Sequence, residues 1–209
     1  MVLVFARAPL PGRVKTRLAP RLGDWGAARL QARLTLNALR TALAARCGPV
    51  ELHGTPRVTH PFFVACKRRF LIEVKSQVGR DLGERMHRAL GGALRRSRAA
   101  ILIGTDSPAL RPQDLRRAAR LLRGGCDVVL APAEDGGYAL IGARRISPGI
   151  FEGVSWGGAN VYDATVERLL RCGYRWRALR TVWDLDRPED LGRLRSLRFS
   201  SAFRRSARR

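Results

Sequence analysis

Four stretches of this chain bring together side chains able to handle phosphate, acids or metal ions. The first, Arg7-Ala-Pro-Leu-Pro-Gly12-Arg13-Val-Lys15-Thr16-Arg17, places four cations within eleven residues around a glycine. Guanidinium forks bind phosphate oxygens in pairs, and glycine lets backbone amides approach an anion. The glycine and lysine spacing of a P-loop is absent, so this is a basic loop of another kind. The second stretch, Gly104-Thr105-Asp106-Ser107-Pro108, puts a carboxylate directly after the apolar run Ile101-Leu102-Ile103. Asp-Ser-Pro is also ordinary turn chemistry. The third, Glu134-Asp135-Gly136-Gly137, offers two carboxylates on a loop, and the same residues read equally well as a hairpin turn. In the fourth, Asp184-Leu185-Asp186, an extended backbone would turn both carboxylates to one face.

Such residues need elements to hold them. Val2-Leu3-Val4-Phe5-Ala6 reads as a buried strand that stops at the breakers Pro9, Pro11 and Gly12. A long helix is expected over residues 24–46, with leucines on its apolar face and Gly48-Pro49 as its stop. Val50 to Gly54 is an expected strand, Phe62-Phe63-Val64 opens an element of undecided type, and Phe70 to Val74 suits another strand. Asp81 is placed to cap a helix running to about Ser97. The buried strand ending at Asp106 comes next, then a helix from Pro112 to Gly124-Gly125. Asp127 to Pro132 and Tyr138 to Ile141 read as strands, and 159–171 as a helix. Strands alternating with helices predict a three-layer α/β/α domain with a mostly parallel sheet over residues 1–195. Ligands collect beyond the carboxyl ends of such strands, where all four stretches then fall. Residues 196–209 form a basic tail without an acid, expected to be solvated.

Composition narrows the function. Lys+Arg number 40 against 17 Asp+Glu, a formal charge of +23, which attracts polyanions. The arginines are spread over every predicted helix rather than gathered with aromatics, which argues against a nucleic-acid binder. The four cysteines form no CxxC pair, so no zinc or redox motif is written, and free thiols fit a reducing compartment. The apolar start, Met1 to Ala6, is too short for a secretory signal or a membrane span. A cytoplasmic protein is the expectation.

Five segments in register resemble the bacterial family labelled glycosyltransferase-like, or radical-SAM/selenodomain-associated transferase 1. They are Phe5-Ala-Arg-Ala-Pro-Leu-Pro-Gly-Arg-Val-Lys-Thr-Arg-Leu18, Asp81-Leu-Gly-Glu-Arg-Met86, Gly104-Thr-Asp-Ser-Pro108, Pro132-Ala-Glu-Asp-Gly-Gly-Tyr138 and Trp183-Asp-Leu-Asp-Arg-Pro-Glu-Asp190. The resemblance implies the nucleotide-diphospho-sugar transferase (GT-A) fold. More distantly, the basic loop is similar to that of phospholactate guanylyltransferases. One departure is Trp156-Gly157-Gly158, where a hydroxyl residue more commonly follows the tryptophan.

The resemblance implies a transferase that takes a nucleotide sugar or a nucleoside triphosphate and a small-molecule acceptor. Either reaction builds negative charge on phosphate oxygens, which cations and a hard ion such as Mg²⁺ or Mn²⁺ would stabilise. Ala6, Arg7, Gly12, Arg13, Lys15, Arg17, Gly104 and Thr105 are then expected at the nucleotide phosphates. Asp106, Asp184 and Asp186 are expected at the metal. Asp106 and Asp135 are the candidate catalytic carboxylates, with Glu134, Gly136 and Gly137 on the acceptor side. Glycosyl transfer stands ahead of nucleotidyl transfer, and a domain that only binds nucleotide is the remaining alternative.

Overall fold

Seven strands form one sheet in the order β3-β2-β1-β4-β6-β5-β7. The computed structural model describes residues 1–195, and the basic tail expected at 196–209 lies outside the described residues. The strands are β1 (Val2–Arg7), β2 (Val50–Thr55), β3 (Glu73–Ser76), β4 (Ala100–Ile103), β5 (Val128–Pro132), β6 (Tyr138–Ala143) and β7 (Trp176–Ala178). All pairs are parallel except those of β6, which lies antiparallel between β4 and β5. Buried runs such as Ala100-Ile-Leu-Ile103 suit this central position, because both faces of the sheet are covered.

Five helices connect the strands: α1 (Ala19–Ala45), α2 (Pro61–Phe70), α3 (Leu82–Leu94), α4 (Pro112–Arg123) and α5 (Val161–Arg171). Leu39 of α1, Phe63 of α2 and Leu115 of α4 pack on one face with Val4 and Ile103. Met86 and Leu90 of α3 and Leu169 of α5 pack on the other with Leu3 and Leu102. The three-layer α/β reading with a mostly parallel sheet holds, β6 being the antiparallel strand. The Asp-Gly-Gly hairpin and the loop of the third stretch are the same object, joining β5 to β6.

The undecided element after His60 is α2. His60 caps it, its ring Nδ1 accepting the Phe62 N–H at 3.2 Å, and Pro61 fills the first turn, where a missing N–H costs nothing. This helix runs through Phe70, so the strand expected from there begins only at Glu73. Helix α3 ends at Leu94, shorter than expected, and α1 begins at Ala19 with a break at Gly23, whose φ is +68°. The extended segment expected around Asp184 makes no sheet ladder. Its strand-like contact among the described residues is the parallel bridge between Ala133 and Val182.

Candidate functional site

The basic loop leaves β1 and is pinned at two apolar points. Val14 and Leu18 are buried, 4 % and 0 % exposed, so Arg13 and Arg17 project while Lys15, between them, turns inward. Leu18 sits in a small cluster with Leu30 and Leu34 of α1 and with Leu185. Burying Leu185 in that cluster, worth about 2 kcal/mol, is what brings the fourth stretch to the loop. The Leu185 N–H donates to the Asp106 carbonyl at 2.8 Å, so Asp106 and Asp184-Leu-Asp186 meet across some eighty positions of sequence.

Lys15 closes the joint. Its backbone is left-handed, φ 49°, and its Nζ lies 2.6 Å from both Asp106 Oδ1 and the Leu185 carbonyl. Arg17 pairs with Asp186. Arg7 and Arg13 are exposed beside them, and Gly12, φ 71°, makes the turn between. Of the other residues expected at the phosphates, Gly104 is exposed at the end of β4. Ala6 is buried, and its carbonyl takes the Gln77 side-chain amide. Thr105 is also buried and receives the Gln31 amide at 3.1 Å, which turns its hydroxyl toward α1.

The β5–β6 hairpin borders the same edge. Glu134 is held by both guanidinium nitrogens of Arg193, at 2.7 and 2.9 Å, and Arg193 also lies over the Trp183 ring, 4.8 Å from its centre. The Arg193 bond chiefly holds the Glu134 carboxyl below its ordinary range. Asp135 is exposed and accepts the Gly137 N–H at 2.9 Å. Gly136 is required where it stands: its φ is +85°, and a Cβ there would lie 1.7 Å from the Ala159 carbonyl oxygen. The Tyr162 N–H donates to Gly136, which locks the hairpin to the start of α5.

Asp184 differs from the other carboxylates. Burial first, then the charges of Asp135, Asp190 and Asp186, push its carboxyl up to about 6. A half-buried acid crowded by like charges is a place where a cation is favourable. Of the three carboxylates expected at the metal, Asp106 pairs with Lys15 and Asp186 with Arg17. Among the described residues no group of three or more His, Cys, Asp or Glu could hold a metal ion.

Sequence reading missed the rim. Trp25, Val78 and Leu82 are exposed at this edge, 72 %, 53 % and 42 %. Gly83 lies under Trp156, where a Cβ would come within 2.5 Å of the indole. That contact ties the Trp156-Gly-Gly segment to the first turn of α3. The pairing of a tryptophan with a glycine so distant has no local signal.

The comparisons agree with this architecture. The model of a bacterial family described as "Uncharacterized protein conserved in bacteria (DUF2064)" matches residues 38–158. No curated protein matches the chain. A protein from Desulfovibrio desulfuricans G20, provisionally assigned as a nucleotide-diphospho-sugar transferase, is 32% identical over 99% of this chain and 90% of its own, with a TM-score of 0.85. A cytidylyltransferase from Leptospira borgpetersenii serovar Hardjo-bovis is 13% identical, with 96% and 87% covered and a TM-score of 0.60. The Rv0371c protein of Mycobacterium tuberculosis H37Rv, solved with manganese, is 20% identical, with 92% and 96% covered and a TM-score of 0.51. The last two share the fold alone. No helix among the described residues is long and apolar enough to cross a membrane. The family match over more than half the chain and the close likeness to the Desulfovibrio structure show that this chain belongs to the bacterial DUF2064 family.

Proposed function

We propose that the protein is a nucleotide-dependent transferase, transferring a glycosyl group from a nucleotide sugar to a small acceptor. The observation that carries this is the basic loop folded against carboxylates at the carboxyl edge of the sheet, with Lys15 on Asp106 and Arg17 on Asp186. The Desulfovibrio relative's provisional assignment supports the same class. Arg13, Lys15 and Arg17 would bind the donor phosphates, exchanging carboxylate partners for phosphate oxygens as charge builds there.

The donor set near Asp184 fits a hard divalent cation, since carboxylate oxygens are what Mg²⁺ and Mn²⁺ take. Asp184 and Asp106 would hold it, with Asp186, once phosphate draws the loop cations away. The cation would neutralise charge on the departing phosphate. That a fold relative was solved with manganese supports the choice of ion. Glu134 is engaged by Arg193, whereas Asp135 is exposed and bonded to the Gly137 N–H, so Asp135 would take the acceptor proton.

Nucleotidyl transfer is the second reading, favoured by the four cations of the loop, which suit a triphosphate and an attacking phosphate together. The experiment is a product assay on the purified chain with Mn²⁺. A nucleotide sugar should yield free nucleoside diphosphate, and a triphosphate with a phosphorylated acceptor should yield no pyrophosphate. Pyrophosphate that disappears in Asp106→Asn reverses the order of the two readings.

A further inference from the structure

The connections of the sheet give all five helices one direction. Each of β1, β2, β3, β4 and β5 is parallel to the next parallel strand, and β6 returns the chain antiparallel, so every helix descends from the candidate site to the opposite edge. Their carboxyl ends therefore share one pole. Cations gather there. Lys67, Arg68 and Arg69 stand in the last turn of α2, Arg120 and Arg123 in that of α4. Arg46 and Arg95 cap α1 and α3. Helix carbonyl ends favour cations, which accounts for part of this enrichment.

The carboxylates at this pole are largely spent inside it. Glu51, 4 % exposed at its side chain, is held by Lys75, Arg96 and His53. Asp127, 9 % exposed, is held by Arg145 and Arg175. Exposed Glu167 pairs with Arg171, and exposed Glu73 lies 3.9 Å from Lys67. The outward field is positive, whereas Asp106, Asp135, Asp184 and Asp186 all lie at the other edge.

Helix-end electrostatics does not explain the apolar residues set among these cations. Leu71 is 91 % exposed, two residues after Arg69, and its φ of 52° is left-handed. That conformation costs a branched L-residue about 1–2 kcal/mol where glycine would be at ease. Leu170, 63 % exposed, precedes Arg171 at the end of α5, and Leu43, 37 % exposed, lies in the last turn of α1. Leu71 belongs to the β3 side of the sheet and Leu170 to the β7 side, so they are spread across a face about 30 Å wide at the spacing of seven strands.

We propose that this pole docks on an anionic phospholipid bilayer, with arginines at the headgroups and Leu71, Leu43 and Leu170 entering the acyl boundary. The proposal is independent of the reaction at the other edge. Basic residues with interspersed exposed apolar side chains at one pole match a lipid surface. RNA would call for exposed aromatics to stack on bases, and the aromatics of this pole, Phe70, Tyr174 and Trp176, are buried or half-buried.

The test is co-sedimentation of the full chain with vesicles of phosphatidylcholine, with and without phosphatidylglycerol. Binding should need phosphatidylglycerol, weaken with salt, and fall about ten-fold in Leu71→Gln/Leu170→Gln. Arg120→Gln/Arg123→Gln should weaken it as well. The changed side chains are exposed, so the thermal midpoint should stay put, and whichever pair keeps it decides the outcome. Failure to sediment with anionic vesicles overturns the proposal. So does binding to anionic vesicles that ignores both leucines, or single-stranded RNA bound more tightly than vesicles and equally by the leucine variant.

Discussion

Lys15 and Asp106 face each other at 2.6 Å, the lysine side chain 4 % exposed and the carboxylate 58 % exposed. The cation is thus sealed into the protein while its partner remains open to a ligand. Replacing Lys15 with Met removes the bonds to Asp106 and to the Leu185 carbonyl, at a cost of about 2 kcal/mol for charge-assisted hydrogen bonds. We expect a lower thermal midpoint and at least ten-fold weaker nucleotide binding in a titration. A folded Lys15→Met variant of unchanged nucleotide affinity would remove the lysine from the phosphate site.

Glu51 supplies the pH dependence. Burial alone would raise its carboxyl, but bonds from Arg96, Lys75 and His53 outweigh it and hold it at about 2. A depressed carboxylate stabilises the fold above its ordinary value near 4.5, and that contribution fades as pH falls from there toward 2. Glu51→Gln should flatten this acid limb in denaturant titrations at several pH values. At neutral pH it should cost about 2 kcal/mol, less than a fully buried pair because Arg96 and Lys75 are 44 % and 40 % exposed.

Gly136→Ala tests the hairpin. The added methyl would meet the Ala159 carbonyl at 1.7 Å on a backbone with positive φ, at a cost of about 3 kcal/mol. Calorimetry should show the midpoint lowered by about 10 °C in a chain of this size.

Thr105 separates structure from site. Its hydroxyl is engaged with Gln31, both residues being buried. Thr105→Val and Gln31→Leu should each cost about 1–2 kcal/mol, the double variant less than their sum, since neither then leaves a buried polar group unpaired. Nucleotide affinity should be untouched by Thr105→Val. A loss of affinity without loss of stability would restore Thr105 to the phosphate site.

Legibility followed the range of the forces involved. Asp81 as a cap, the Pro112 start of α4 and the Asp-Gly-Gly hairpin depend on neighbours within a few residues, and each could be read directly. The alternation in Asp184-Leu185-Asp186 is visible too, but the sequence alone does not show what holds it. The structure shows a buried Leu185 anchored on Leu18, Leu30 and Leu34. Lys15 reads as one more cation of a basic loop, and nothing local marks it as buried. The bidentate hold of Arg193 on Glu134 spans 59 positions and had no signal either. The antiparallel placement of β6 between β4 and β5 was likewise set by the sheet as a whole.

Trp183 stands beside Asp184, half-buried between two apolar clusters, with the Arg193 guanidinium over its ring. Indole emission shifts and dims with nearby charge, so this residue is a fluorophore built into the proposed metal and phosphate site. Trp25, 72 % exposed, would answer instead to added quencher in the solvent. Replacing the other three tryptophans, Trp25, Trp156 and Trp176, with Phe would leave Trp183 alone to follow a cation or a nucleotide arriving there in real time without any label.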